Sequence, residues 1–439
     1  MGFWVLRRLV LAVCLAGPLM AGTGSHAQDV PGKPNEGLIA FGLSEQAEVW
    51  SNLRGGRQTG VTANGLMTLS VHADLGGLAG LDGWYLYGSV FQIHGRGITQ
   101  DLVGNLQTVS NIEATRATKL YNLWITKTFM DDRLELRIGQ EGANDEMMIS
   151  QQAQLFLNSS FGYPALLATN LPSGGPNYPI AAPMARFVYK ISDAFSWQAA
   201  VFDGDPAGPG TGDPQLRNRY GVAFRLRDAP LIFNELWFRP EGWSKENLPG
   251  LWKIGVWYHD GDFSDQRFDQ SGGKLAVTGA SALQHKGNHA FYAVADQLVW
   301  RRPGSEDQGL GLWALAMVSP SDRNLIDLYV EGGMTFKGLF ESRPKDKLGL
   351  AFAYMRTSMG ARSYYLDGLA ASTGLKAIEP YELVTELTYQ YVHSNQVSIQ
   401  PSLQHIRNPG AALPLSANRY SQVPLKDAFV AGVRAILSY

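Results

Sequence analysis

Leu120-Tyr121-Asn122-Leu123-Trp124-Ile125-Thr126, then the turn residues Met130-Asp131-Asp132, then Arg133-Leu134-Glu135-Leu136-Arg137-Ile138, is the stretch that decides how this chain is read. The second half alternates charge and branched apolar side chains without a break. A period of 2 sets Leu134, Leu136 and Ile138 on one face of a strand and Arg133, Glu135 and Arg137 on the other. The two halves form a hairpin. A connection of about forty residues follows, running over about 142–183 and rich in Gly, Pro, Asn and Ser. Connections of that length are uncommon in compact domains and usually carry function.

The same alternation recurs to the last residue. Trp252, Ile254, Val256 and Tyr258 oppose Lys253, Gly255 and Trp257; Leu383, Leu387, Tyr389 and Tyr391 oppose Glu382 and Glu386; Phe429, Ala431, Val433, Ala435, Leu437 and Tyr439 oppose Arg434 and Ser438. With 45% hydrophobic residues, 49 Gly, 11 Trp, 18 Tyr and 19 Phe, the composition favours strands and interfacial aromatic girdles. Beyond the first residues no run is long and apolar enough for a helical span. The expected fold is all-β, a 16-stranded antiparallel transmembrane barrel whose long third loop folds into the lumen.

Sidedness sets the strand number. Counting Tyr220–Arg227 as a strand makes seventeen, and bacterial single-chain barrels have even numbers. Assigning it to a loop places all the longest connections on one side, at 95–117, 142–183, 204–229, 260–288, 358–379 and 407–426. Met130–Asp132, Ser192–Ala194 and Ser394–Gln396 then fall on the other side. Sixteen strands leave an aqueous channel. A soluble β-sandwich array or propeller also alternates, but no fixed-period repeat is present and the last strand ends in an aromatic.

Residues 1–27 read as a secretory signal: Arg7 and Arg8, an apolar run from Leu9 to Met20, and Ser25-His26-Ala27 before the cut. Cleavage takes the formal charge from −2 to −4 and removes Cys14, the sole cysteine. Residues 28–37 read as a periplasmic tail, and 38–439 as the barrel. No basic surplus points to nucleic acid. No Gly-x-Ser-x-Gly, His-Glu-x-x-His or phosphate-loop pattern points to an enzyme or cofactor. Asp260, Asp262, Asp265 and Asp269 lack the EF-hand spacing, so a solvated loop is expected there and no metal.

Several segments carry a resemblance: Gln92-Ile93-His94-Gly95-Arg96-Gly97; Gly104-Asn105-Leu106-Gln107-Thr108-Val109-Ser110-Asn111-Ile112-Glu113-Ala114; Leu155-Phe156-Leu157-Asn158-Ser159-Ser160-Phe161-Gly162-Tyr163-Pro164; Asn170-Leu171-Pro172-Ser173-Gly174-Gly175-Pro176; Val201-Phe202-Asp203-Gly204-Asp205-Pro206; Asp265-Gln266-Arg267-Phe268-Asp269; and Asp322-Arg323-Asn324-Leu325-Ile326-Asp327. Taken in order, the chain resembles the carbohydrate-selective porins of the OprB type. The resemblance implies an outer-membrane channel passing monosaccharides such as glucose by facilitated diffusion. It also implies a constriction built by the second and third extracellular loops, with arginine and glutamate holding the sugar.

On that basis Arg96, Glu113, Arg116, Glu135, Arg137 and Asn122 are the candidate constriction residues. Arginine offers a planar fork of donors and a carboxylate only accepts, which together match vicinal hydroxyls. For Arg96 the competing reading is a solvated loop charge. Glu135 and Arg137 face inward by alternation, whether or not they reach the narrow zone. Some relatives carry acids on the fourth strand where this chain has Asn122 and Thr126. Phe156, Phe161 and Tyr163 are candidates for sugar stacking, although packing of the loop against the wall is the favoured reading. Expected partners are monosaccharides, outer-membrane lipid and lipopolysaccharide, and the barrel-assembly machinery through the strand ending at Tyr439. The pattern fits monomer and homotrimer alike.

Overall fold

Sixteen antiparallel strands close on themselves, each paired with its sequence neighbours and β1 with β16. The computed structural model describes residues 37–240, 248–371, 380–412 and 425–439. The signal segment and all but the last residue of the tail lie outside the described residues. The strands are β1 (Ile39–Gly56), β2 (Gly60–Asp74), β3 (Trp84–Gly95), β4 (Ala117–Phe129), β5 (Leu134–Glu141), β6 (Ala182–Lys190), β7 (Phe195–Asp203) and β8 (Pro230–Phe238). The second half comprises β9 (Gly250–Asp269), β10 (Ala282–Arg301), β11 (Gly309–Val318), β12 (Ile326–Lys337), β13 (Lys347–Thr357), β14 (Tyr381–Val392), β15 (Val397–Arg407) and β16 (Lys426–Ser438). Among the described residues no helix is long and apolar enough to cross a membrane. Closure of the ladder pairs the backbone groups of the wall, as a barrel in a membrane requires.

Alternation sorts the two faces as the sequence indicates. Leu136, Ile138, Ile254, Phe291, Leu350, Leu403 and Val433 are exposed, while Glu135, Arg137, Lys253, Asp296, Glu386, Gln404 and Arg434 are buried. Apolar residues thus coat the outside and polar ones face in, the reverse of a soluble sheet. Aromatics gather at the short-turn end: Phe195 stacks on Phe238 at 5.0 Å, Phe238 meets Trp252 at 6.2 Å, and Trp300 meets Phe336 at 5.6 Å. Such belts mark the water interface of membrane barrels.

Residues 220–227 form no strand, in line with the even count. The expected loop at 260–288 is corrected: β9 continues to Asp269 and β10 begins at Ala282, leaving only 270–281 as the connection. Asp260, Gly261, Asp262 and Asp265 are poor strand formers, so the segment reads as a loop. Cross-strand pairing from Asp269↔Ala282 to Asp262↔Lys286, with register shifts on the way, overrides that preference. The segment 358–379 also holds helix α1 (Met359–Ala371), which alternation does not signal.

The segment 142–181 meets the buried face of strand after strand. Met148 N donates to Glu235 of β8 at 2.6 Å, and Lys253 of β9 donates to Ile149 O at 2.8 Å. Ser150 Oγ donates to Asp296 of β10 at 2.6 Å. Gln400 of β15 donates to Leu155 O at 2.7 Å. Leu157 N and Asn158 N both donate to Glu386 of β14 at 2.9 Å, and Tyr329 of β12 donates to Ser160 O at 3.1 Å. A buried irregular segment carries backbone polar groups that need partners. The polar residues of the wall supply them.

Candidate functional site

Two buried arginines dominate the wall at β5 and β6. Arg137 donates to Glu141 and Glu146 at 2.7 Å each, to Thr126 at 3.1 Å and to Glu135 at 3.3 Å. Its guanidinium lies 3.9 Å from the Trp124 ring centroid. Arg186, its cross-strand neighbour, reaches Glu135 at 2.9 Å, Glu146 at 3.0 Å and Gln198 at 2.7 Å. Glu146 belongs to the long connection, so the network fastens the start of that segment to the wall. Glu135 and Arg137 are thereby enclosed.

A cavity of about 820 Å³ lies beside this network. Part of its lining comes from the second long loop (Ser110, Asn111, Glu113) and part from the third (Asn144, Asp145, Tyr163, Tyr178). The wall adds Phe91, Tyr121, Gln46 and Arg434. The two loops are laced together: Asn111 N donates to Leu157 O at 2.7 Å, and Ser159 N to Thr108 O at 2.9 Å. Glu382 of β14 accepts from Leu106 N at 2.9 Å and Gln107 N at 2.8 Å.

Charge around the cavity is divided. Arg434 is held by Glu48 at 2.6 Å through Nε and reaches Asn111 Oδ1 at 2.5 Å. Asp145 accepts from Asn122 at 3.1 Å and Asn144 at 2.9 Å. Burial pushes the Asp145 carboxyl up to about 7, against the Asn122 hydrogen bond that favours its anion. Burial likewise pushes Glu113 up to about 7, opposed by hydrogen bonds from Thr99 Oγ1 at 2.8 Å and Thr99 N at 3.0 Å. Both acids change charge in the neutral range because removal from water disfavours the anion. Phe91 stacks on Tyr121 at 4.4 Å and meets Tyr178 at 5.8 Å, adding ring surface to the same lining.

The sequence candidates thus separate into groups. Glu113 lines the cavity, and Asn122 holds the Asp145 carboxylate that lines it. Arg96 sits on the exposed rim, paired with Asp101 at 2.6 Å, and shares a shallow recess with the exposed Arg116, Thr62, Ala63 and Gly95. Phe156 and Phe161 pack on Trp313 of β11 at 5.8 and 5.7 Å, with Phe161 also reaching the cavity edge. Tyr163 is buried and lines the cavity. Sequence reasoning missed Arg434, Glu48, Asp145 and Arg186. Alternation assigns Arg434 and Arg186 to the polar face, but it carries no signal for which loop group each meets.

A family model described as the carbohydrate-selective porin, OprB family, matches residues 58–439. The chain belongs to the OprB family of carbohydrate-selective porins. It is similar to Porin B of Pseudomonas aeruginosa, 24% identical over 388 residues that cover 84% of this chain and 83% of the relative. It is also similar to the putative porin QuiX of Acinetobacter baylyi, 23% identical over 430 residues that cover 91% and 89% of the two chains. In fold it matches the high-pH structure of Pseudomonas putida OprB, with a TM-score of 0.79, 23% identity and coverage of 91% and 94%. Family and barrel together place this porin in the outer membrane of Gram-negative bacteria and make it a channel protein rather than an evident enzyme.

Proposed function

We propose that this porin passes monosaccharides such as glucose by passive, facilitated diffusion, and that the second and third long loops, folded into the lumen, form its constriction. The cavity carries the reading. Its volume of about 820 Å³ lies within the range of sites that enclose small ligands, roughly 300–1,000 Å³. Its lining offers donors at Arg434 and Asn111, acceptors at Asp145 and Glu113, and ring surface at Phe91 and Tyr178. A pyranose presents hydroxyl edges and C–H faces, so the mixture suits it. Permeation needs contacts that replace lost water but release readily, which dispersed neutral and charged hydrogen bonds provide.

In this reading Glu135, Arg137 and Arg186 set the position of the third loop rather than touch sugar, and Arg96 and Arg116 shape the field at the mouth. Tyr439 would present the final strand to the barrel-assembly machinery during insertion. The test is osmotic swelling of liposomes carrying the purified barrel. Swelling in glucose is expected to be fast and in disaccharides slow. Arg434→Ala is expected to narrow the difference. Equal rates for the unaltered barrel would leave a general diffusion pore.

A further inference from the structure

The wall is uneven at its long-loop end. Strand β5 has 8 residues and β6, β7 and β8 have 9 each, against 20 in β9 and in β10. The pairing of β4 with β5 stops at Leu123↔Gln140, so the backbone of β4 from Ala117 to Asn122 lacks a β5 partner. The segment 220–227 answers this. Leu120 N donates to Tyr220 O at 3.0 Å, and Gln140 Nε2 donates to Gly221 O at 2.8 Å. Gly221 has φ +68, and a Cβ there would stand 1.9 Å from Leu120 O, so only glycine allows the approach. The segment ends at β8, four strand spacings from β4, a distance of about 19 Å at about 4.8 Å each. Eight residues reach at most about 26 Å, enough to cover it even with the tight turn that Arg225 N closes on Ala223 O at 2.8 Å. They therefore form a transverse strap above the ends of β5, β6 and β7.

Its large apolar side chains are exposed. Tyr220 is 63% exposed, Val222 57%, Phe224 50% and Leu226 83%. They continue the outward apolar belt of Leu123, Ile138, Val201 and Ile232. At the two ends stand Arg219 and Arg227, both exposed; Arg225 pairs with Asp228 at 2.5 Å, a carboxylate that Arg227 also influences through its charge. An exposed apolar stripe flanked by exposed guanidinium groups, on the outer-leaflet side of an outer-membrane barrel, matches acyl chains beneath phosphate.

We propose that the strap Arg219–Arg227 is a docking surface for the phosphorylated, acylated glycolipid of the outer leaflet. The test uses the full barrel carrying Phe224→Cys as its one cysteine, labelled with a fluorophore, in nanodiscs of phosphatidylcholine with added bisphosphorylated or dephosphorylated lipid A. The label is expected to be quenched by nitroxide-acyl lipid and shielded from a water-soluble quencher. Native mass spectrometry is expected to show bound bisphosphorylated lipid A falling about tenfold in Arg219→Glu/Arg227→Glu, equivalent to roughly 1.4 kcal/mol. Heat-modifiable gel migration would establish that this variant is folded. A label open to the aqueous quencher, equal binding of the two lipids, or unchanged binding in the arginine variant would overturn the proposal. So would shielding that grows with barrel density and ignores lipid A, which would mean that a second copy occupies the strap.

Discussion

Arg137 and Arg434 are both inward-facing arginines by alternation, yet they do different work. Arg137 is bound on several sides by carboxylates and an indole, whereas Arg434 keeps one edge on the cavity. Removing one partner of a buried pair typically costs about 3–5 kcal/mol because a charge is stranded. Arg137→Ala is therefore expected to lower the unfolding midpoint in urea, leaving Glu141 and Glu146 uncompensated; Arg434→Ala is expected to lower it as well, by stranding the buried Glu48, and in addition to alter sugar discrimination. Asp145 and Glu113 give the site a pH dependence. Each carboxyl is raised to about 7 by burial, so each is neutral below that value and anionic above it. Cation selectivity in single-channel recordings is expected to rise between about pH 6 and pH 8 and to flatten in Asp145→Asn/Glu113→Gln. The sign for stability is the opposite. A raised folded-state pKa contributes stability that is complete below the unfolded value near 4 and lost as pH rises through about 7.

At the scale of the element, the third loop is held by wall carboxylates acting as acceptors for paired backbone amides. Glu386 takes Leu157 N and Asn158 N, and Glu382 takes Leu106 N and Gln107 N from the second loop. Hydrogen bonds to a charged acceptor contribute about 1.5–3 kcal/mol each. Glu386→Ala is expected to loosen the loop tip, raise conductance and admit disaccharides in the swelling assay; unchanged conductance would mean that the loop is held without it. This layer was half legible. The length and Gly/Pro content of 142–183 marked a long irregular connection, and alternation put Glu382 and Glu386 on the polar face. Their pairing with amides more than two hundred residues away had no local signature.

For the whole molecule, closure rests on the pairing of β1 with β16, where Leu43 and Tyr439 exchange both backbone bonds at 2.8 and 3.3 Å. Deleting Tyr439 is expected to reduce the yield of heat-modifiable barrel in outer-membrane fractions, since the seam loses its last rung. What the amino-acid order alone determined is the two-faced wall: the strand period is 2, so Leu134, Leu136 and Ile138 had to share a face whatever lay across from them. The even count followed from Tyr220–Arg227 and the sidedness of the connections. The tertiary structure decided what period and composition do not encode. It extended β9 and β10 through Asp260–Asp269 by cross-strand pairing, enclosed Arg137 behind Glu146, and brought Arg434 to Glu48 across a sequence separation of 386 residues. Those outcomes depend on which groups meet when the cylinder closes, and closure is a property of the whole chain rather than of any stretch of it.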